Sequence, residues 1–273
     1  MFSKILVALD GSKDGSQYLP VAIKYATYVA ETSGCQIMGL APINEKSLPK
    51  ANGDQSKNIP PHITSQVKRT ISEFKLSMAE HRIPASRYQI KQVVGDPFQK
   101  IVRESMFCDL VVIGRKCHFP DQTQEDNSPD RLLYRSSRPI MFTPLQFRPI
   151  KSIVIGLDGT ASSSRLMHVF KHLSPFKGAS IHLVYTRWEV KTYHLEEYFD
   201  EIRRYIQSGG YDVELVVKNK KFPNAILEVA EQKNADLIAF GVREELYRDK
   251  IQFDQSIVHS IMETSKLPVF TAR

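Results

Sequence analysis

Three cysteines in 273 residues, no long apolar run and no familiar nucleophile or phosphate motif set the first limits on this chain. Cys35, Cys108 and Cys117 are odd in number and have no paired spacing, which excludes a disulfide framework and fits a reducing compartment such as the cytoplasm. No apolar stretch reaches the length needed to cross a bilayer, and Met-Phe-Ser-Lys leads straight into a strand-like segment, so neither a membrane span nor a signal peptide is expected. The serine-hydrolase elbow G-x-S-x-G is missing, and so is the P-loop G-x-x-x-x-G-K-[ST]. Cys117-His118 lacks the companions of a zinc site, and His168 and His172, four apart, have no evident third ligand, so no metal is expected.

What is present is the composition of a soluble globular protein, 42% hydrophobic and 25% charged, in a chain long enough for two domains that each bury a core. A net charge of +7 permits contact with anions. No stripe of aromatic and basic residues accompanies that charge, so nucleic acid is not the expected partner.

One stretch organises the chain and occurs twice: Lys4-Ile-Leu-Val-Ala-Leu-Asp-Gly-Ser12 returns as Lys151-Ser-Ile-Val-Ile-Gly-Leu-Asp-Gly-Thr160. A short apolar run of this kind reads as a strand buried on both faces, and Asp-Gly-[ST] as the turn at its carboxyl end, where the next helix is expected to start. That edge is where open α/β sheets bind ligands, which makes Asp10 and Asp158 candidate site residues. Cys108-Asp-Leu-Val-Val-Ile-Gly114 is echoed by Ala235-Asp-Leu-Ile-Ala-Phe-Gly241, and Arg138-Pro-Ile-Met-Phe-Thr143 by Leu267-Pro-Val-Phe-Thr271. Three matched segments in one order imply a duplicated domain, divided at residues 1–146 and 147–273.

These segments resemble the universal stress protein family in its tandem two-domain form, over nearly the whole chain. The resemblance implies two Rossmann-like domains of the adenine-nucleotide-hydrolase-like type, each a parallel five-stranded sheet with helices on both faces. It also implies pairing through the last strand, which a tandem chain satisfies as an internal pseudo-dimer with Thr143 and Thr271 at the seam, and which leaves room for a further homodimer.

Between the repeats the pattern is explicit. Leu19, Ala22, Ile23, Ala26, Val29 and Ala30 recur at helical spacing, and Gly34 ends that helix. Pro42 to Pro61 reads as an exposed loop, an insertion rather than a lid. Ile63, Val67, Ile71, Phe74 and Met78 mark a second helix, Tyr88 to Val94 a third strand, and Asp96-Pro97 a capped helix start. In the second half Leu166, Val169, Phe170 and Leu173 mark the first helix's core face, and Thr160 or a neighbouring serine is its expected N-cap.

Nucleotide-binding members of the family carry G-x2-G-x9-G-[ST] after the fourth strand, so that backbone N–H groups hold phosphates. Here Gly114 opens that position, no glycine follows between 115 and 150, and Asp126-Asn127 stands where Gly-[ST] belongs. In the second half Gly241 survives, Val242-Arg243-Glu244 replaces the next glycine, and Ser256 keeps the helix-start hydroxyl. Lys218-Asn-Lys-Lys221 gives that half a basic turn in place of Gly-Asp-Pro. A Ser-Gly-Gly-rich pyrophosphatase loop, expected in related hydrolases, follows neither first strand. The cofactor-binding candidates are Asp158, Gly241, Ser256, Asp10 and Gly114, with ATP or AMP, if held at all, held weakly by the second half. No catalytic residue is assigned. The reading is a non-catalytic cytoplasmic stress-response protein that senses a small molecule or scaffolds a protein partner, with an ATP-binding protein of slow magnesium-dependent ATP hydrolysis as the alternative and a basic nucleic-acid-associated module as a further one.

Overall fold

The computed structural model describes all residues except 13–14, 50–58, 118, 120–129, 187–194, 243, 248–249 and 254. The chain divides into two compact units, Phe2–Phe147 and Arg148–Arg273.

In the first unit the strands are β1 (Lys4–Ala8), β2 (Gln36–Ile43), β3 (Tyr88–Val94), β4 (Leu110–Gly114) and β5 (Ile140–Thr143). They pair in parallel in the order β3-β2-β1-β4-β5. The helices between them are α1 (Leu19–Ser33), α2 (Pro61–Glu80), α3 (Pro97–Ser105) and α4 (Asp130–Arg135). The order reverses at β1, with α1 packed beside α2 and α3 beside α4. This is the two-faced winding that leaves a crevice at the carboxyl ends of β1 and β4. Ile5, Leu6, Val7, Leu110, Val112 and Ile113 are fully buried, as strands covered on both faces require.

Local chemistry accounts for the boundaries. Gly34 ends α1 in the left-handed region, at φ 72°, and its N–H donates to Ala30 O. Asp96 Oδ1 accepts from Gln99 N–H at 2.8 Å, capping α3 ahead of Pro97. The expectation that a helix starts directly after Asp-Gly-Ser does not hold. A 3-10 turn, Gly15–Gln17, intervenes, and α1 begins at Leu19 with Pro20 in its first turn, where a missing N–H costs nothing.

The segment from Pro42 also departs from its reading as an exposed loop. Pro42 and Ile43 extend β2 against Val93 and Val94, and Pro42, Ile43 and Asn44 are buried. A 3-10 turn, Glu45–Ser47, follows, with Asn44 Oδ1 accepting from Lys46 N–H at 3.1 Å. Residues 50–58, on which the choice between insertion and lid turns, lie outside the described residues.

The second unit repeats the winding with β6 (Ser152–Leu157), β7 (Ser180–Thr186), β8 (Asp212–Lys218), β9 (Leu237–Gly241) and β12 (Val269–Ala272), in the order β8-β7-β6-β9-β12, all parallel. Its helices are α5 (Ala161–His168), α6 (Leu195–Gln207), α7 (Phe222–Gln232) and α8 (Gln255–Thr264). α5 runs on into a π turn, Val169–Leu173. The wider turn rotates the apolar stripe, so Leu166, Met167 and Phe170 are buried while Val169 and Leu173 are only half-buried. An antiparallel hairpin that the apolar pattern does not announce, β10 (Glu244–Tyr247) and β11 (Lys250–Phe253), stands between β9 and α8.

The Asp-Leu repeat also finds its reason. Asp109 Oδ2 accepts from Ser3 N–H (2.7 Å) and Lys4 N–H (3.1 Å), and Asp236 Oδ2 from Lys151 N–H (3.0 Å) and Ser152 N–H (3.1 Å). Each carboxylate satisfies the free amides where the unit's first strand begins, tying that strand to its neighbour.

Candidate functional site

Asp10 and Asp158 do sit at the carboxyl ends of the first strands, and both are engaged in closing their own turns. Ser12 donates to Asp10 twice, from N–H to Oδ1 at 2.9 Å and from Oγ to Oδ2 at 3.1 Å, while Ser12 Oγ accepts from Gly15 N–H at 2.9 Å. Thr160 repeats this on Asp158 Oδ1, from N–H at 2.9 Å and from Oγ1 at 2.7 Å. Ser163 Oγ adds a short contact to the same oxygen. These are Asx turns, in which the side chain of residue i receives the amide and hydroxyl of residue i+2. A carboxylate held this way orders its turn and keeps less of its acceptor capacity for a ligand.

The surroundings of the two differ. Asp10 is 4% exposed, and the Cys117 thiol donates to it. Burial, then the Asp10 charge and that hydrogen bond, push the Cys117 thiol well above its usual range, so it stays protonated. Sequence reasoning weighed Cys117 only as a zinc ligand with His118, which lies outside the described residues. Its lone signal was a cysteine just beyond the fourth strand. Asp158 is only half-buried.

Gly114 and Gly241 end β4 and β9 as expected, and both are filled from above. A Cβ on Gly114 would stand 2.6 Å from Tyr18 Cβ, and one on Gly241 would stand 2.6 Å from the Ser162 carbonyl carbon and 2.7 Å from Ser163 N. The closeness that glycine allows is used here by the chain itself. Ser256 lies in the first turn of α8, and its side chain, like that of Glu244, is outside the described residues, as is Asp126-Asn127.

The hydroxyls at the start of α5 are committed in the same way. Thr160 caps the helix towards Ser163 N–H, Ser162 Oγ donates to Val242 O at 2.9 Å, and Arg165 is exposed one turn on. The basic turn of the second unit is tied down: Lys218 Nζ and Lys220 Nζ both reach Glu228 on α7, the former at 2.8 Å. His168 and His172 have ring centroids 4.5 Å apart and share the Tyr205 hydroxyl, 3.1 Å from His172 Nε2 and 3.5 Å from His168 Nδ1. Among the described residues no group of three or more His, Cys, Asp or Glu is arranged to hold a metal ion, and no helix is long and apolar enough to cross a membrane.

Beside Asp10 the first unit opens a cavity of about 90 Å³, open to solvent at its mouth. Leu9 and Gly11 form its floor, Pro42, Ile43, Asn44 and Ser47 one wall, and α2 the opposite wall with His62, Ile63, Gln66, Val67 and Thr70. Phe119 closes it, set edge-on against Phe98 with centroids 5.5 Å apart. It lies at the carboxyl ends of β1 and β2, against α2, with Phe119 from beyond β4 at one side.

No family model and no curated protein matches the sequence. Solved structures do. A universal stress protein from Archaeoglobus fulgidus DSM 4304 superposes over 99% of this chain and 96% of its own, with a TM-score of 0.68 at 17% identity. A functionally unknown protein from Pseudomonas aeruginosa PAO1 superposes over 99% of this chain and 92% of its own, with a TM-score of 0.58 at 17% identity. The fold is therefore that of the universal stress proteins, in tandem two-domain form. At such identity the likeness carries the architecture and leaves the chemistry to the residues.

Proposed function

We propose that this protein is a non-enzymatic, cytoplasmic stress-response protein that works by binding a small molecule, with the cavity beside Asp10 as its ligand site. The observation that carries this reading is the commitment of both strand-end carboxylates to their own turns, beside glycines already covered by Tyr18 and by Ser162–Ser163. Phosphoryl transfer depends on an amide cradle, cations and a placed nucleophile held together in geometry. Here the groups nearest to such a cradle are spent on the fold.

The cavity lies at the carboxyl ends of β1 and β2, which is why sensing is preferred to pure scaffolding. Phosphate release from ATP with magnesium tests it, on the wild type, Asp10→Ala and Asp158→Ala. No turnover above a background common to all three is expected. Repeated turnover at about one per second, lost in either variant, overturns the non-enzymatic reading.

A further inference from the structure

Among the described residues, the lining of the Asp10 cavity contains no lysine or arginine, and its apolar members are Leu9, Pro42, Ile43, Ile63, Val67 and Phe119. Arg69, exposed on the same helix, directs an N–H at the Gly11 carbonyl at 3.4 Å. Among the described lining residues the one carboxylate is Asp10 and the one imidazole is His62. A phosphate entering here meets the Asp10 carboxylate, while the Arg69 guanidinium beside it is turned to the Gly11 carbonyl.

Ser47 supplies the second observation. Its Oγ is buried and has no hydrogen-bond partner among the described residues. Buried hydroxyls in folded proteins are nearly always paired, so an orphan on a residue that lines a cavity marks where a ligand's polar atom belongs. The 3-10 turn that presents it is held by Asn44, whose side chain accepts from Lys46 N–H.

The packing of α2 gives a third. Its apolar stripe is fully buried at Phe74 and Met78 but only half-buried at Ile63 and Val67, about three and two turns before Phe74. The lower half of the stripe rests on the core, whereas the upper half faces the cavity, so apolar surface there is still to be covered.

We infer that this cavity takes an uncharged, mainly apolar small molecule carrying one hydrogen-bonding group that pairs with Ser47, and not a phosphate-bearing one. The inference rests on the proposed ligand site and adds the class of its occupant.

Three probes on one ring system test it by fluorescence titration of the intact chain: 2-naphthol, naphthalene and 2-naphthyl phosphate. The first is uncharged at neutral pH, because a phenol loses its proton near pH 10. 2-Naphthol is expected to bind at least about ten-fold more tightly than the phosphate ester. Ser47→Ala is expected to weaken 2-naphthol several-fold, to about the level of naphthalene, and to leave naphthalene unchanged. Val67→Phe, which fills the mouth from a half-buried helix position, is expected to weaken both while the urea midpoint stays near that of the wild type.

If 2-naphthyl phosphate binds as tightly as 2-naphthol and Val67→Phe abolishes it, the site stands and the uncharged class is wrong. If no probe binds, or binding ignores Val67→Phe, the cavity is not the ligand site and both readings fail. If Ser47→Ala leaves 2-naphthol untouched, the assigned pairing is wrong.

Discussion

At the end of β1, Asp10 is enclosed by Ser12 and by the thiol of Cys117, beside a cavity; at the end of β6, Asp158 carries out the same closure half-exposed, directly beneath a helix capped by Thr160. The contrast extends to the glycine between them. Gly159 has φ 75° and open space around its Cα, whereas Gly11 has no positive φ and is needed because a Cβ would come within 2.7 Å of Thr70 Cγ2 on α2. One tripeptide thus serves two different physical ends. Duplication preserved the turn, and each half then surrounded it with its own packing: a helix pressed close in the first, an open left-handed corner in the second.

The largest effect that sharpens this contrast should come from removing the carboxylates. Asp10→Ala strips a nearly buried acceptor from Ser12 and Cys117, and a loss of about 2–4 kcal/mol is expected. Asp158→Ala leaves donors that water can reach, so about 1–2 kcal/mol is expected. Urea unfolding of the two variants checks the ranking, and equal losses would erase the distinction between a buried and a half-exposed closure.

A smaller and more diagnostic effect lies in the glycines. Gly159→Ala should cost about 1 kcal/mol for left-handed strain, and Gly159→Asn less, because asparagine tolerates that region. At Gly11 the order should invert: Asn, being larger, should cost more than Ala against Thr70 and Gln66. The readout is the sign of the Asn-minus-Ala difference at each position, and the same sign at both would mean that one cause serves both halves.

The smallest effect is a pH dependence confined to the second half. Hydrogen bonds from Lys218 and then Lys220 hold Glu228 down to about 2, below the ordinary carboxylate value of 4.5. A depressed carboxyl adds stability above its unfolded pKa and loses it as the proton returns, so this contribution is present above about pH 4.5 and fades towards pH 2. The group is solvent-accessible and the gain is small. Thermal melts of wild type and Glu228→Gln should therefore converge as pH falls from 5 to 2, and a gap that stays constant would assign no role to the charge.

Much of the fold was legible because it is written in local chemistry. Apolar runs ending in Asp-Gly-[ST] became β1 and β6, Asp96-Pro97 capped α3, Gly34 closed α1, and Thr160 capped α5. Each depends on residues a few positions apart, whose hydrogen bonds and φ preferences hold in any surroundings. The loss of glycines after Gly114 was equally readable, since a missing residue type needs no coordinates.

Other features depend on what approaches through space. Nothing in the order of residues says that Tyr18 covers Gly114, that Ser162 and Ser163 cover Gly241, or that Cys117 donates to Asp10. Nor does it say that the start of a proline-rich segment walls a cavity, with Ser47 left unpaired beside it. A glycine reads the same in the chain whether backbone conformation or crowding demands it, and an aspartate reads the same whether its oxygens face a ligand or its own turn. Packing separates these cases, because contact distance and burial belong to the folded arrangement and have no counterpart in spacing along the chain.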